Sequence, residues 1–192
     1  FKINKNIQGQ ARNMRYKMLI NFCKKKKIKT LLTAHNLEDQ VETFFIRLSR
    51  GSGLDGLSSM KQISKIGYNL FLVRPLLEYK KLQLVKISKT IFGKFYIDPS
   101  NENTKYLRTR IRNLKSSLEM SGINYDKIFQ SIKNLASSRD TLDFYFNKIY
   151  KDIIVKKKNK IYMDLKNFHN INQEMKVMVL KKTIKDFTHS YY

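Results

Sequence analysis

The sequence predicts an α/β fold, a parallel sheet flanked by helices, followed by a long helix and a mostly helical region. Three observations carry the prediction. The apolar segment Lys29 to Ala34 runs straight into an amphipathic helix opening at Asn36, the strand–helix step of a parallel sheet. The segment Gln62 to Pro75 reads as two short strands around Gly67-Tyr68-Asn69. Beyond Gly122, Ile128, Ile132, Leu135, Leu142, Phe146, Ile149 and Ile153 follow a four–three alternation, broken where Arg139 takes an apolar slot. That pattern predicts one helix of about nine turns. The expected division is therefore residues 1–120 and residues 121–192, the second being a long linking helix and the start of a helical region.

Element by element, Gln8 to Lys27 repeats Ala11, Met14, Met18 and Phe22 at helical spacing, which predicts a first helix with Cys23 on its apolar side as a core residue. The helix after the first strand opens at Asn36 as N-cap, carries Val41, Phe44, Phe45 and Leu48, and stops at Gly51. Gly51-Ser52-Gly53-Leu54-Asp55-Gly56 is too glycine-rich for an element and reads as a loop. Tyr79 to Phe92 is a third helix. Asp98-Pro99-Ser100-Asn101 breaks the chain, and Ser100 or Asn101 is expected to start a fourth helix with Leu107, Ile111, Leu114 and Leu118 on one face. The basic run at Lys156 ends the long helix; a strand over Lys160 to Leu165 and a last helix over Asn172 to Phe187 follow.

Composition narrows the function classes. The 192 residues carry 39 Lys+Arg against 15 Asp+Glu, a formal net charge of +24, with 42% apolar residues. A chain this apolar has material for a core, and a chain this basic points to nucleic acid as partner. Lys, Asn, Ile, Tyr and Phe are all heavily used, as an AT-rich coding sequence also produces, so charge alone does not locate a site. The single cysteine, Cys23, excludes an intrachain disulfide and any cysteine-based metal site within one chain, and suggests a reducing, cytoplasmic compartment. No apolar run approaches the roughly 18 residues that cross a bilayer, so no membrane association is expected. The chain begins Phe1-Lys2-Ile3 without Met, which reads as an internal or C-terminal piece of a longer product.

The densest group of reactive side chains is Thr33-Ala34-His35-Asn36-Leu37-Glu38-Asp39-Gln40-Val41-Glu42-Thr43. A helix starting at Asn36 puts His35, Asp39 and Glu42 close to one face, at the mouth of a strand-to-helix turn, where ligands bind in open α/β sheets. Two carboxylates there suit a cation, an amine or a metal holding a triphosphate, and an imidazole suits phosphate or proton transfer. Carboxylates in a first turn also simply favour the helix dipole. Arg108, Arg110 and Arg112, following the Asp98 to Asn101 break, suit phosphate by charge, or form a solvated basic face. The glycine loop has no GxxxxGK[ST], so it is not a Walker A site. His169 and His189 have no partner at ligand spacing.

Six blocks stand in an order that resembles tRNA(Ile)-lysidine synthetases. They are Ala11-Arg12-Asn13-Met14-Arg15-Tyr16, Leu32 to Thr43, Arg50 to Leu57, Val73-Arg74-Pro75-Leu76-Leu77, Asp98 to Asn101, and Tyr106-Leu107-Arg108-Thr109-Arg110-Ile111-Arg112. The resemblance covers roughly residues 11–118 and implies that residues 1–120 are the remainder of a Rossmann-like PP-loop (N-type ATP pyrophosphatase) domain, with the SGGxDS phosphate loop lying upstream of Phe1.

By that resemblance, ATP activates C2 of the wobble cytidine of tRNA(Ile) and the ε-amine of free L-lysine then displaces AMP. The resemblance implies catalytic roles for His35, Asp39 and Glu42, with Asp39 also the candidate Mg2+ ligand. His35, Arg108 and Arg110 would bind ATP; Arg12, Arg15, Arg74 and Arg112 would bind a tRNA(Ile) with a CAU anticodon. A homodimer is an open alternative for the assembly. Another PP-loop tRNA-modifying enzyme, or a non-catalytic RNA-binding remnant, are the competing readings.

Overall fold

The computed structural model describes residues 7–67, 69–94, 96, 103–157 and 160–188. Asp98-Pro99-Ser100-Asn101, His189 and the first residues of the chain lie outside them. The chain divides into two compact units, Phe1–Lys133 and Asn134–Tyr192.

In chain order the first unit has α1 (Ile7–Lys25), β1 (Thr30–Leu32), α2 (Leu37–Leu48), α3 (Leu54–Leu57), β2 (Ile63–Gly67), β3 (Leu70–Val73), α4 (Lys81–Phe92), α5 (Leu107–Asn113) and α6 (Lys115–Met120). The sheet order is β1-β3-β2. β1 pairs with β3 in parallel, Leu31 opposite Leu72, whereas β2 pairs with β3 antiparallel, Ser64 opposite Leu72. The expected parallel sheet is thus a mixed one, because the turn through Asn69 (φ 51) folds β2 and β3 into a hairpin. As the central strand, β3 buries Leu70 and Leu72.

α1 forms where its periodicity puts it, but the stripe that marks the periodicity is not the one it buries. Met14 and Met18 are each 67% exposed and Phe22 55%, while Cys23 is buried. Tyr16, Leu19 and Ile20, half-buried, share the packed side with Cys23. A helix with two apolar stripes does not reveal by periodicity which one meets the sheet.

The other helices of this unit depart from expectation in identifiable ways. The glycine segment contains α3, a single helical turn whose end is clamped by Arg47, donating through Nη1 to the carbonyls of Gly56 (2.7 Å) and Ser59 (3.0 Å). α5 begins at Leu107 rather than near Ser100, after a turn that Arg110 holds by donating to the carbonyls of Thr104 and Lys105. The expected fourth helix is divided at Leu114 (φ −73, ψ −9) into α5 and α6.

α7 (Tyr125–Ile153) is the long helix. Its first two turns belong to the first unit, where Tyr125, Ile128 and Ile132 pack with Leu37 and Val41 of α2. The limit between these two compact units, after Lys133, thus falls inside α7. In the second unit, Phe146, Tyr150 and Ile153 of α7 pack with Ile154, Met175 and Val179. The basic run there is strand β4 (Ile154–Lys157), a hairpin with β5 (Lys160–Met163), followed by α8 (Leu165–Asn170) and α9 (Gln173–Thr188). Arg139, in its apolar slot, is buried at 5% exposure and pairs with Asp140 at 3.0 Å. No helix among the described residues is long and apolar enough to cross a membrane.

Candidate functional site

The carboxyl ends of the parallel pair define the site. β1 leads into Thr33 to Asn36 and then α2; β3 ends beside Arg74. Asn36 closes the turn as N-cap in extended geometry (φ −119, ψ −173): its Oδ1 accepts from the Asp39 N–H, and the Asp39 Oδ2 accepts from the Asn36 N–H, each at 3.0 Å. This reciprocal capping box satisfies two helix-end donors. Asn36→Ala is expected to cost about 1 kcal/mol in denaturant unfolding; an unchanged midpoint would show that Asp39 caps the helix alone. Glu38 accepts from the Lys81 N–H at 2.8 Å, tying the start of α4 to α2.

His35 lies at the mouth of this turn, its Nδ1 2.9 Å from the Thr33 hydroxyl. Burial pushes its pKa below the ordinary 6.5; Asp39 pulls it back up, and the charges of Arg74, Arg12 and Arg108 lower it further. The ring is therefore neutral at pH 7. The positive charges of Arg74 after β3, Arg12 on α1 and Arg108 on α5 are thus near enough to act on the ring electrostatically. Arg74 is 8% exposed, donating from Nη1 to the Lys61 carbonyl (2.7 Å) and the Ser64 hydroxyl (3.1 Å), and its buried Nε has no hydrogen-bond partner. Arg12 lies over the Tyr16 ring at 5.5 Å. Arg15 is exposed on α1.

Glu42 is placed differently from the expectation. It is 1% exposed, and its carboxylate takes Arg112 on both oxygens, Nε to Oε1 at 2.7 Å and Nη2 to Oε2 at 3.2 Å, with Arg108 Nε also 3.2 Å from Oε2. Arg108 Nη2 donates to the Thr43 hydroxyl at 3.1 Å. Burial raises the Glu42 pKa above its ordinary 4.5, while the hydrogen bond and charge of Arg112 and the charge of Arg108 lower it. We take the group as ionised at neutral pH, since an acceptor-only carboxylate is what two donor-only guanidinium groups require. Both oxygens are engaged by arginines and only 2% of the side chain is exposed, so the carboxylate is turned to α5 and not to solvent.

Arg110 is likewise occupied with its own loop. The site's sequence reading also missed two polar residues of α2. Gln40, 5% exposed, donates from Nε2 to the Met60 carbonyl (2.9 Å) and accepts from its N–H (2.8 Å), pinning the segment after α3. Thr43 anchors Arg108. Both are uncharged polar residues within an amphipathic helix, and no local spacing marks their distant partners Met60 and Arg108. Among the described residues, no group of three or more His, Cys, Asp or Glu is placed to hold a metal ion.

The chain is similar to known proteins over nearly its whole length. Residues 2–117 match the family model of the PP-loop domain, and the chain belongs to that family. Its relatives include proteins named tRNA(Ile)-lysidine synthase. It is 35% identical over 192 residues to the one of Wolbachia pipientis wMel, covering 99% of this chain and 44% of that protein. It is 45% identical over 119 residues to the one of Orientia tsutsugamushi, covering 62% of this chain and 26% of that protein. The chain thus spans less than half the length of these curated relatives. In fold it is similar to a U34-tRNA thiolase from Methanococcus maripaludis solved with its [4Fe-4S] cluster, at a TM-score of 0.55 and 18% identity over 71% of this chain and 46% of that one.

Proposed function

We propose that the chain is part of a tRNA(Ile)-lysidine synthase, contributing a phosphate-binding face to ATP-dependent modification of the wobble cytidine. The observation that carries the reading is the basic set around the carboxyl ends of the parallel strands: buried Arg74 after β3, His35 on the Thr33 hydroxyl, and Arg108 held by Thr43 and Glu42 of α2. Such a set of cationic groups beside a strand-to-helix turn suits a polyphosphate. Similarity to proteins named tRNA(Ile)-lysidine synthase over nearly the whole chain supports this choice of substrate class.

On this reading ATP is a substrate: the C2 oxygen of the cytidine attacks the α-phosphorus, diphosphate leaves, and the lysine ε-amine then displaces AMP at C2 with loss of a proton. His35, with Nδ1 taken by Thr33, offers Nε2 to the phosphates. Arg108 and Arg74 balance their charge, and Arg12 and Arg15 on α1 meet the tRNA backbone. Asp39, with one oxygen in the cap, has lone pairs left for the incoming amine or for one ligand position on Mg2+, which ordinarily keeps its waters and phosphate oxygens as the other ligands. The cytoplasm is the compartment in which these substrates occur together.

The test is lysine incorporation by the whole protein that contains this chain, using radiolabelled lysine, ATP and tRNA(Ile) transcripts with CAU or altered anticodons. Incorporation with one AMP released per lysine, confined to the CAU transcript, is expected. Binding of tRNA without lysine-dependent AMP release overturns the enzyme reading in favour of an RNA-binding piece.

A further inference from the structure

We propose that Glu42 is a positioning residue: from α2 it holds Arg108 and Arg112 of α5 in place for a phosphate-bearing ligand. The inference rests on the reading of this face as phosphate-binding and deepens it. Among the described residues Glu42 is the one acidic side chain in the buried class, and it bridges elements 70 residues apart in sequence. The two arginine side chains remain 34% and 33% exposed, so their guanidinium groups are anchored at one edge and accessible at the other. Thr43, one residue on, donates to the Asp39 carbonyl at 2.7 Å and accepts from Arg108, giving that arginine a second anchor on the same turn of α2.

Two physical consequences follow. One carboxylate against two guanidinium groups leaves a net positive charge, so the cluster still attracts an anion. Two long side chains, each with much rotamer freedom to lose, are already restrained before the ligand arrives, which lowers the cost of binding. α5 has no side-chain cap at Tyr106, and its link to α2 runs through this cluster.

The proposal predicts a sign that simple electrostatics reverses. Glu42→Gln removes a negative charge beside an anion site, which by Coulomb attraction alone would tighten anion binding. Positioning predicts weakening instead, by about tenfold, the scale of a lost charge-assisted hydrogen bond. The probe is inorganic tripolyphosphate, titrated calorimetrically into the chain at low salt and well below its unfolding temperature. Glu42→Asp, which keeps the charge, should remain closer to the unsubstituted chain than Glu42→Gln. Affinity unchanged or increased in Glu42→Gln overturns the proposal, as does a loss of lysine affinity alone.

A second arm needs no ligand. Phenylglyoxal modification read by mass spectrometry should show Arg108 and Arg112 reacting faster in Glu42→Gln, measured against exposed Arg15. Thr43→Val should free Arg108 and leave Arg112 unchanged; it also decides the matter if Glu42→Gln does not fold. Unchanged reactivity of Arg108 in Thr43→Val and of both arginines in any folded Glu42→Gln overturns the positioning role. Failure of the unsubstituted chain to bind tripolyphosphate overturns the phosphate reading of the face, while the reactivity arm still judges the restraint of the arginines by itself.

Discussion

Replacing Arg112 by Leu is expected to destabilise the chain by about 3 kcal/mol at neutral pH, and the deficit should shrink as the solution is acidified. Glu42 has 2% of its side chain exposed, and Arg112 engages both of its oxygens. Without Arg112 the carboxylate is buried with Arg108 as its remaining ion-pair partner, at 3.2 Å. Breaking a buried pair by removing one member costs about 3–5 kcal/mol, and the remaining arginine keeps the loss near the lower end.

The pH dependence follows from the direction of the Glu42 shift. Burial already raises its pKa above the ordinary 4.5, against the lowering by Arg112 and Arg108. Removing Arg112 raises it further. A carboxyl with a higher pKa in the folded state than in the unfolded chain favours folding most when both are protonated, and that contribution is lost as pH rises through the folded value. The difference between Arg112→Leu and the unsubstituted chain should therefore be smaller near pH 4 than at pH 7, read from urea unfolding of both proteins at the two pH values. An equal deficit at both would mean that Glu42 is not the group left uncompensated, and that Arg112 acts through packing of its aliphatic stem.

The contrast between Asp39 and Glu42 shows where the sequence stops being informative. The start of α2 was legible because capping is local: Asn36 and Asp39 are three residues apart, and their reciprocal bonds need nothing from the rest of the chain. The same helical spacing places Glu42 near Asp39, yet it cannot show that residues of α5 will fold against it. The partners of Glu42 are set by tertiary packing, so the two arginines that engage its carboxylate could not be read from local spacing.

The same distinction explains the fold. β1, the β2–β3 hairpin and α7 have one dominant apolar pattern each and were legible. α1 carries two competing stripes, and of its packed side only Cys23 was. The division at Leu114 lies inside a continuous apolar pattern, and α3 is a single turn of a Gly-rich segment closed by Arg47 from α2, a contact no local pattern encodes. The start of α5 at Leu107 is set in part by Arg110 reaching back to Thr104 and Lys105.

Binding of tRNA is expected to be strongly salt-dependent, with the arginines of the site distinguishable from the general positive charge. A protein making 6–10 phosphate contacts loses roughly 10³–10⁵ in affinity between 50 and 200 mM salt, and a chain with formal charge +24 has cations enough for that many. If the charge merely reflects composition, every lysine or arginine contributes alike. If the site is specific, Arg12→Gln should lower affinity and flatten the slope of log K against log salt by about one contact's share. A single substitution in the exposed run Lys24 to Lys27, at the end of α1 away from the strand termini, should do less. Arg110→Gln should also do less, because that guanidinium is already bound to two carbonyls of its own loop. Filter-binding or fluorescence titrations of the folded variants across that salt range give the slopes directly. Equal losses from Arg12, Arg110 and the lysine run would mean diffuse attraction, and the assignment of specific arginine contacts to the tRNA would have to be abandoned.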